Sequence, residues 1–531
     1  MPALSAETLM RWGAFAVRVS DDGREFTLLH GADAWASFTL HGMQPTGRFT
    51  DDDDEVEHGF TIPGASVAVR HAVGEAWTMR WALSAAEGSG EPDGPAASDR
   101  ESEPAAVGVD AEGDEGGEGT AEVPGPAAVG ATASALAGLL ASLNGLDVVP
   151  ELRVIPGPGC VVWAWAAGAE AMIAVAPGRR AAPVVGLRLT QGWLQERPGG
   201  FAMAPAGLEL TAGRRWVGQL RAQLYRGVDD LAARLPAWLA PLELSAGQPW
   251  EFRDPDHALV VEPPATTRAE GDVIQVIGEA GRACVALHSP RGLTELTVSF
   301  APSLDTLLAA GAAHVLRLPG RIPPAGAFVL AEALARSLIS EPVAAERLLD
   351  DFDWSHDSDL LAIATGVARA QRNGNSRMLR AALRRLQLVH PQPGYGRVVM
   401  AAWLASLALG EDARDEALAL LSRPTGSEWV ALELNVLNLR SLEVAGGLFH
   451  GLVNALGGDL PGDPVGLDAV RQAQLVGLLQ LCPEEWPMAT AAAACAGKNS
   501  RRLLAGVAES AFADPDDLAV LAWLALGHSL L

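Results

Sequence analysis

The apolar positions of this chain change their spacing part-way along it. Over residues 7 to 86 they alternate with polar ones or run together over strand lengths, in FAVRVS, FTLLHG, ASFTLHG, ASVAVRHAV and WTMRWAL, with turn signals such as Asp21-Asp22-Gly23 between them. The same habit returns in GCVVWAWAAG, AMIAVAP, VVGLRLT, GLELTAG and RWVGQLRAQLY, and once more in HALVVEP, DVIQVIGE, RACVALHS and LTELTVSFA. These runs predict a β-sandwich-like domain over 1–250 and a small β unit over 251–303. Residues 304–358 read as a linker. Beyond it the apolar spacing becomes helical, and helices are expected at about 359–372, 375–388, 396–409, 412–422, 427–445, 447–456, 465–481, 488–496, 499–512 and 516–529. Short breaking connections such as NGN, HPQPGYG, GED and RPTGS pair them antiparallel. The fold class expected is therefore multidomain, β then α, with the helices of 359–531 forming an antiparallel hairpin array, either a partial α/α toroid or a solenoid.

Composition narrows this picture. At 531 residues the chain exceeds what one core organises, and 49% apolar with 20% charged residues describes a globular protein. Residues 87–128 break the pattern: they are rich in Gly, Pro, Ala and acid and hold no aromatic side chain, so they are expected to be a disordered insertion in the β domain. The net charge of −26 repels a phosphate backbone, so no nucleic acid is expected as a partner. Arg377, Arg380, Arg384 and Arg385 form the local exception, and as a helical face they are expected to meet carboxylates. No apolar run is long enough for a membrane span and no leader pattern opens the chain, so a cytoplasmic protein with no membrane partner is expected.

Chemistry is sparse by motif. Cys160, Cys284, Cys482 and Cys495 lie far apart without CxxC spacing and read as free thiols. Lys498 is the only lysine, which reads as base-composition bias. No phosphate loop, nucleophile elbow, zinc-helix motif or dinucleotide fingerprint is present, so no cofactor and no metal site is expected. The acid run Asp51 to Glu57 reads as a solvated strand connection, since the glycine and terminal glutamate of a calcium loop are missing. Trp193, Trp216, Trp238 and Trp250 read as packing residues or as a sugar-stacking platform.

The densest stretch is Leu348 to Leu361, LLDDFDWSHDSDLL, between the β and α patterns. A mostly β front followed by α-hairpins in series resembles carbohydrate-processing enzymes that join a β-sandwich to an (α/α) toroid, glucoamylase-like and glycoside phosphorylase families among them. The resemblance is one of element order over most of the chain. It implies a glycoside hydrolase-like enzyme with its site where the β and α parts meet.

Two readings of the dense stretch stand side by side. In the first, Asp351, Asp353 and Asp357 supply a proton donor and a base to a glycosidic bond, Trp354 stacks on the sugar and His356 binds a hydroxyl. In the second, Ser355 or Asp357 caps the next helix and the remaining acids complement its positive end. Further substrate contacts are expected from Tyr395, on a glycine-flanked loop, and from Glu428 and Trp429 at a helix start. The alternative to an enzyme is a scaffold that binds a protein partner on the concave face of the helical array. The partner expected is thus a carbohydrate or a protein.

Overall fold

Strand alternation decides which side chains enter the β core. In Trp77–Ala85 the buried residues are Trp77, Met79, Trp81 and Leu83, every second position. The computed structural model describes residues 7–52, 54–85, 148–178, 183–197, 199–210, 214–239, 241–254, 258–263, 265–355, 358–426, 428–438 and 442–529. Twenty of its strands join in one sheet that folds over into two layers. One layer runs from Thr8–Trp12 through Phe15–Val19, Glu25–His30 and Asp33–His41 to Glu151–Pro156. The other runs from Gln44–Asp52 through Glu55–Ile62, Ala65–Val73, Trp77–Ala85, Arg215–Tyr225, Val184–Gln191 and Ala171–Pro177 to Cys160–Gly168. Phe26, Phe38 and Leu40 of the first layer share a core with Phe60, Trp81, Ile173 and Leu187 of the second. Phe26 and Phe38 stack with centroids 4.7 Å apart.

Strand Cys160–Gly168 belongs to both layers, because its last residues also pair with Leu194 and Thr294. Its sequence does not alternate, and the reason is that both faces are covered. Val162, Ala164 and Ala166 point into the sandwich core. Val161 and Trp163 meet Val228, Leu231, Ala455 and Leu460, while Trp165 packs with Trp238 and Leu242.

The small β unit is not a separate body. Its hairpin Gly281–Ser289 with Gly292–Ala301 continues the large sheet through Gly168 and Thr294, and Trp250–Phe252, Val273–Ile277 and Thr266–Glu270 form a minor sheet beside it. The GLELTAG run is corrected as well, since Gly207 to Leu210 form no strand. The acid run sits in a hairpin, with Asp52 ending one strand and Glu55 starting the next. The insertion 87–128 lies outside the described residues.

The helical section begins at Leu304, well before 359. Ser303 caps Leu304–Val315 by accepting from the Thr306 N–H at 3.1 Å. Pro324 and Pro342 stand at the first position of Pro324–Ala335 and Pro342–Asp351, where a missing N–H costs nothing. The expected linker 304–358 thus holds three helices. Among the described residues twelve helices follow Ala301. Expected helices 488–496 and 499–512 are one, Ala489–Ser510, and expected 427–445 divides into Glu428–Leu437 and the start of Leu442–Ala455. The last, Asp517–Ser529, packs on Pro324–Ala335 and on Ala469–Leu479, so the helical section turns back on itself.

Two features lock the sections together. Asp463–Pro464 leaves the helical section to pair with Trp163 and Ala164. Gly462 makes that approach possible: its φ is +89°, and a Cβ there would strike the Ala164 carbonyl. The long helix Ala489–Ser510 lies against Gly281–Ser289 and Gly292–Ala301.

Candidate functional site at the β and α boundary

Where these elements meet they leave a polar cavity of about 370 Å³. Trp165 comes from the shared strand, Gln195 and Glu196 from Leu194–Arg197, and Glu243 from the short strand beside Gly292–Ala301. Arg282 and Cys284 come from Gly281–Ser289, Glu295 from its hairpin partner, and Arg502 from the long helix. Alternation explains the selection, because Arg282, Cys284, Glu295 and Thr297 are the positions left over when Ala283, Val285, Leu296 and Val298 enter the core. Three carboxylates, two guanidiniums and an indole therefore line one cavity.

Hydrogen bonds and ion pairs position four of these residues. Glu295 accepts from Gln195 Nε2 at 2.9 Å. Glu243 is 5% exposed, and Arg501 Nε donates to its main-chain carbonyl at 2.8 Å. Arg282 pairs with Glu509 at 3.6 Å. Arg502 is fixed by Gly462 O at 2.7 Å, Gln472 Oε1 at 2.6 Å and Asn499 Oδ1 at 2.7 Å. Behind them lies Lys498, 7% exposed, whose Nζ donates to Leu460 O at 2.7 Å. Burial pulls its ammonium below the ordinary lysine range, and the Glu243 carboxylate opposes that shift. Burial and the carboxylates of Glu262 and Glu295 hold the Cys284 thiol above its usual range, so it stays protonated and inert.

The residues singled out from the sequence lie elsewhere. Leu348 to Leu361 is not at the β and α boundary but between helices Pro342–Asp351 and Leu360–Arg372, because three helices precede it. Asp351 is exposed at the end of the first. Asp353 accepts from the Ser355 hydroxyl at 2.8 Å and its N–H at 3.2 Å. The cap of the second helix is Asp359, not Ser355 or Asp357, and it accepts from Leu361 N–H at 2.7 Å. Trp354 lies over Gly366, where a Cβ would strike its ring, and packs on the helical core. His356 and Asp357 fall outside the described residues. Glu428 and Trp429 begin Glu428–Leu437, and their side chains are likewise outside the description.

Tyr395 is corrected outright: it is 0% exposed, its hydroxyl donates to Leu386 O at 3.0 Å, and the Arg423 guanidinium lies 5.7 Å from its ring centre. Its flanking Gly394 has φ +85° and abuts Trp523, so the glycines serve tight packing and not an open loop. Trp238 and Trp250 are 6% and 2% exposed and pack in the core beside the minor sheet.

No family model and no curated protein matches this sequence. Among solved structures, a polysaccharide lyase superposes with a TM-score of 0.56 at 11% identity, over 100% of both chains. A glycoside hydrolase of family 81 from Clostridium thermocellum aligns over 93% of this chain and 85% of its own at 8% identity, but its TM-score of 0.19 supports no inference. The first match shows a shared fold and, at that identity, the fold alone. It agrees with the β-then-α order.

Among the described residues no helix is long and apolar enough to cross a membrane, and no group of three His, Cys, Asp or Glu is placed to hold a metal ion. Sequence reasoning did not single out this cavity, whose lining comes from six separated stretches, the hairpin counted as one. One signal was legible: the only lysine of the chain, Lys498, stands directly behind it.

Proposed function

We propose that the chain is a carbohydrate-active enzyme and that the boundary cavity is its site. The observation that supports this is the lining itself: Glu196, Glu243 and Glu295 with Trp165, in a cavity to which the sandwich, the hairpin and the helical section all contribute. Cleavage of a glycosidic bond needs one carboxylic acid to protonate the leaving oxygen and a second carboxylate to activate water or attack. Glu243 and Glu295 are assigned these roles as a pair, Arg282 and Arg502 bind hydroxyl or carboxylate groups, and Trp165 offers its indole edge to a sugar ring. Asp350, Asp353 and Asp359 have local pairing and capping duties and are not assigned to the reaction. A helical section that turns back on itself gives no support to a protein-binding concave face.

The test is a glycan-binding and turnover screen of the full chain, followed by Glu243→Gln and Glu295→Gln. Either change should lower turnover by about two to four orders of magnitude while the melting midpoint and circular dichroism stay near those of the parent. Product analysis separates hydrolysis, which yields a saturated reducing end, from elimination, which yields an unsaturated and ultraviolet-absorbing one. A protein that turns over no glycan, or whose two variants keep full turnover, overturns the assignment.

A further inference from the structure

A second cavity, of about 750 Å³, opens on the outer face of the sandwich, and its lining is basic in a chain of net charge −26. Arg188, Arg221 and Arg291 line it with Gln223 and Thr190, and Glu75 stands at its rim. Arg188 and Arg221 are directly opposite each other on neighbouring antiparallel strands, Val184–Gln191 and Arg215–Tyr225. Like charges in that register repel, and the ladder tolerates them best when an anion lies between. One buried acid, Glu170, answers part of this charge through Arg188 and Arg291 and leaves the cluster basic. Glu170 is bound by Arg291 and lies 3.9 Å from Arg188, while Arg291 also donates to Ala169 O at 3.2 Å and Leu189 O at 3.1 Å. Arg291 is thereby a fixed wall of the cavity, and Arg221 keeps an exposed guanidinium.

We infer that Arg188 and Arg221 form an oxyanion subsite for the carboxylate or sulfate group of an acidic glycan. A guanidinium pair presents parallel N–H donors that match two oxygens of such a group. Position links this subsite to the boundary cavity. Both cavities border the point where Cys160–Gly168 ends and Gly292–Ala301 begins: Ala166, Ala167 and Glu295 line the one, and Arg291 the other. Along the chain Arg291 and Glu295 are about 13 Å apart at the rise of an extended strand. A polymer that extends from Glu295 past Arg291 meets the cavity that Arg188 and Arg221 line. The inference rests on the carbohydrate reading above and adds the substrate class to it.

Calorimetric titration of the full chain tests it, with an oligouronate, a neutral oligosaccharide of the same length, and inorganic phosphate. The oligouronate should bind the parent in a salt-sensitive way, and Arg221→Ala and Arg188→Ala should each weaken it about tenfold or more. Arg221→Lys, which keeps the charge but loses the fork, should fall between. Neutral oligosaccharide should bind parent and variants alike. Equal oligouronate affinity in all proteins overturns the subsite, and phosphate binding as tightly as oligouronate reassigns the arginines to a free anion and overturns the glycan class. Arg221 is exposed, so its variants should keep the parental melting midpoint. Glu243→Gln separates the two readings: it should lower turnover by about two to four orders of magnitude and leave oligouronate binding at the arginines intact. A parent that turns over neutral glycan and ignores uronate would remove this inference alone.

Discussion

His71 shows how one buried side chain sets a pH dependence. It is 0% exposed, stacks on Trp77 with centroids 6.1 Å apart, meets Phe26 at 4.8 Å, and neither ring nitrogen has a hydrogen-bond partner. Burial pulls its pKa from 6.5 to about 3, with His58 adding a smaller push in the same direction. The unfolded chain therefore takes up a proton that the folded chain refuses. The stability contributed is fully present above pH 6.5 and is lost as the pH falls from there towards 3. At pH 5 the loss from His71 alone is about 2 kcal/mol. Urea melts between pH 7.5 and 5 should show this fall, and His71→Phe should flatten it. A slope unchanged in that variant would place the titration elsewhere.

Among elements, the crossing of Ala469–Leu479 and Asp517–Ser529 depends on two glycines. Gly477 and Gly527 face each other so closely that a Cβ on Gly527 would lie 2.7 Å from the Gly477 α carbon. A Cβ on Gly477 would strike Nη1 of Arg397, whose buried guanidinium donates to Trp523 O at 3.2 Å and lies 5.0 Å from the Trp523 ring centre. The carboxylate of Glu433 answers that charge, and it also accepts from Gly394 N–H at 2.7 Å and Arg397 N–H at 3.0 Å. Glycine to alanine inside a helix normally stabilises by about 0.5 to 1 kcal/mol. Gly477→Ala should reverse the sign and cost about 1 to 3 kcal/mol, because the added methyl overpacks a filled crossing. Gly447→Ala, in Leu442–Ala455 with open space around it, should stabilise. The two melting midpoints, moving in opposite directions, check the packing.

For the whole molecule, the sections share surfaces too apolar to expose. Val161, Trp163 and Met172 on the outer face of the sheet are covered in part by Ala455 and Leu460, which come from the helical section. Burying a large apolar side chain is worth about 1.5 to 3 kcal/mol. A chain ended after Ala301 should consequently aggregate or lose cooperative unfolding, and the full chain should unfold in one transition. Sedimentation and scanning calorimetry read both. A truncated protein that is monomeric and melts cooperatively would show that the sections are independent.

The sequence by itself determined the elements. Alternation in WTMRWAL and helical spacing in the C-terminal half are properties of local chain geometry, so most strands and helices were legible, as was the β-then-α order. It left 304–358 as a linker, because the prolines that start Pro324–Ala335 and Pro342–Asp351 look, without the turn that follows, like prolines that end a segment. The unbroken apolar run CVVWAWAAG was legible as a strand, but what covers each of its faces was not.

The candidate site was decided by tertiary structure alone. Glu196, Glu243, Glu295 and Arg502 are unremarkable in their own neighbourhoods, and they meet because the sheet continues through Gly168 and Thr294 and the long helix lies across it. The aspartates of 348–361 were conspicuous because they are adjacent in sequence. Adjacent residues on a turn point apart, whereas residues from strands paired across a sheet converge on one face. Catalytic geometry is made of the second kind of neighbour.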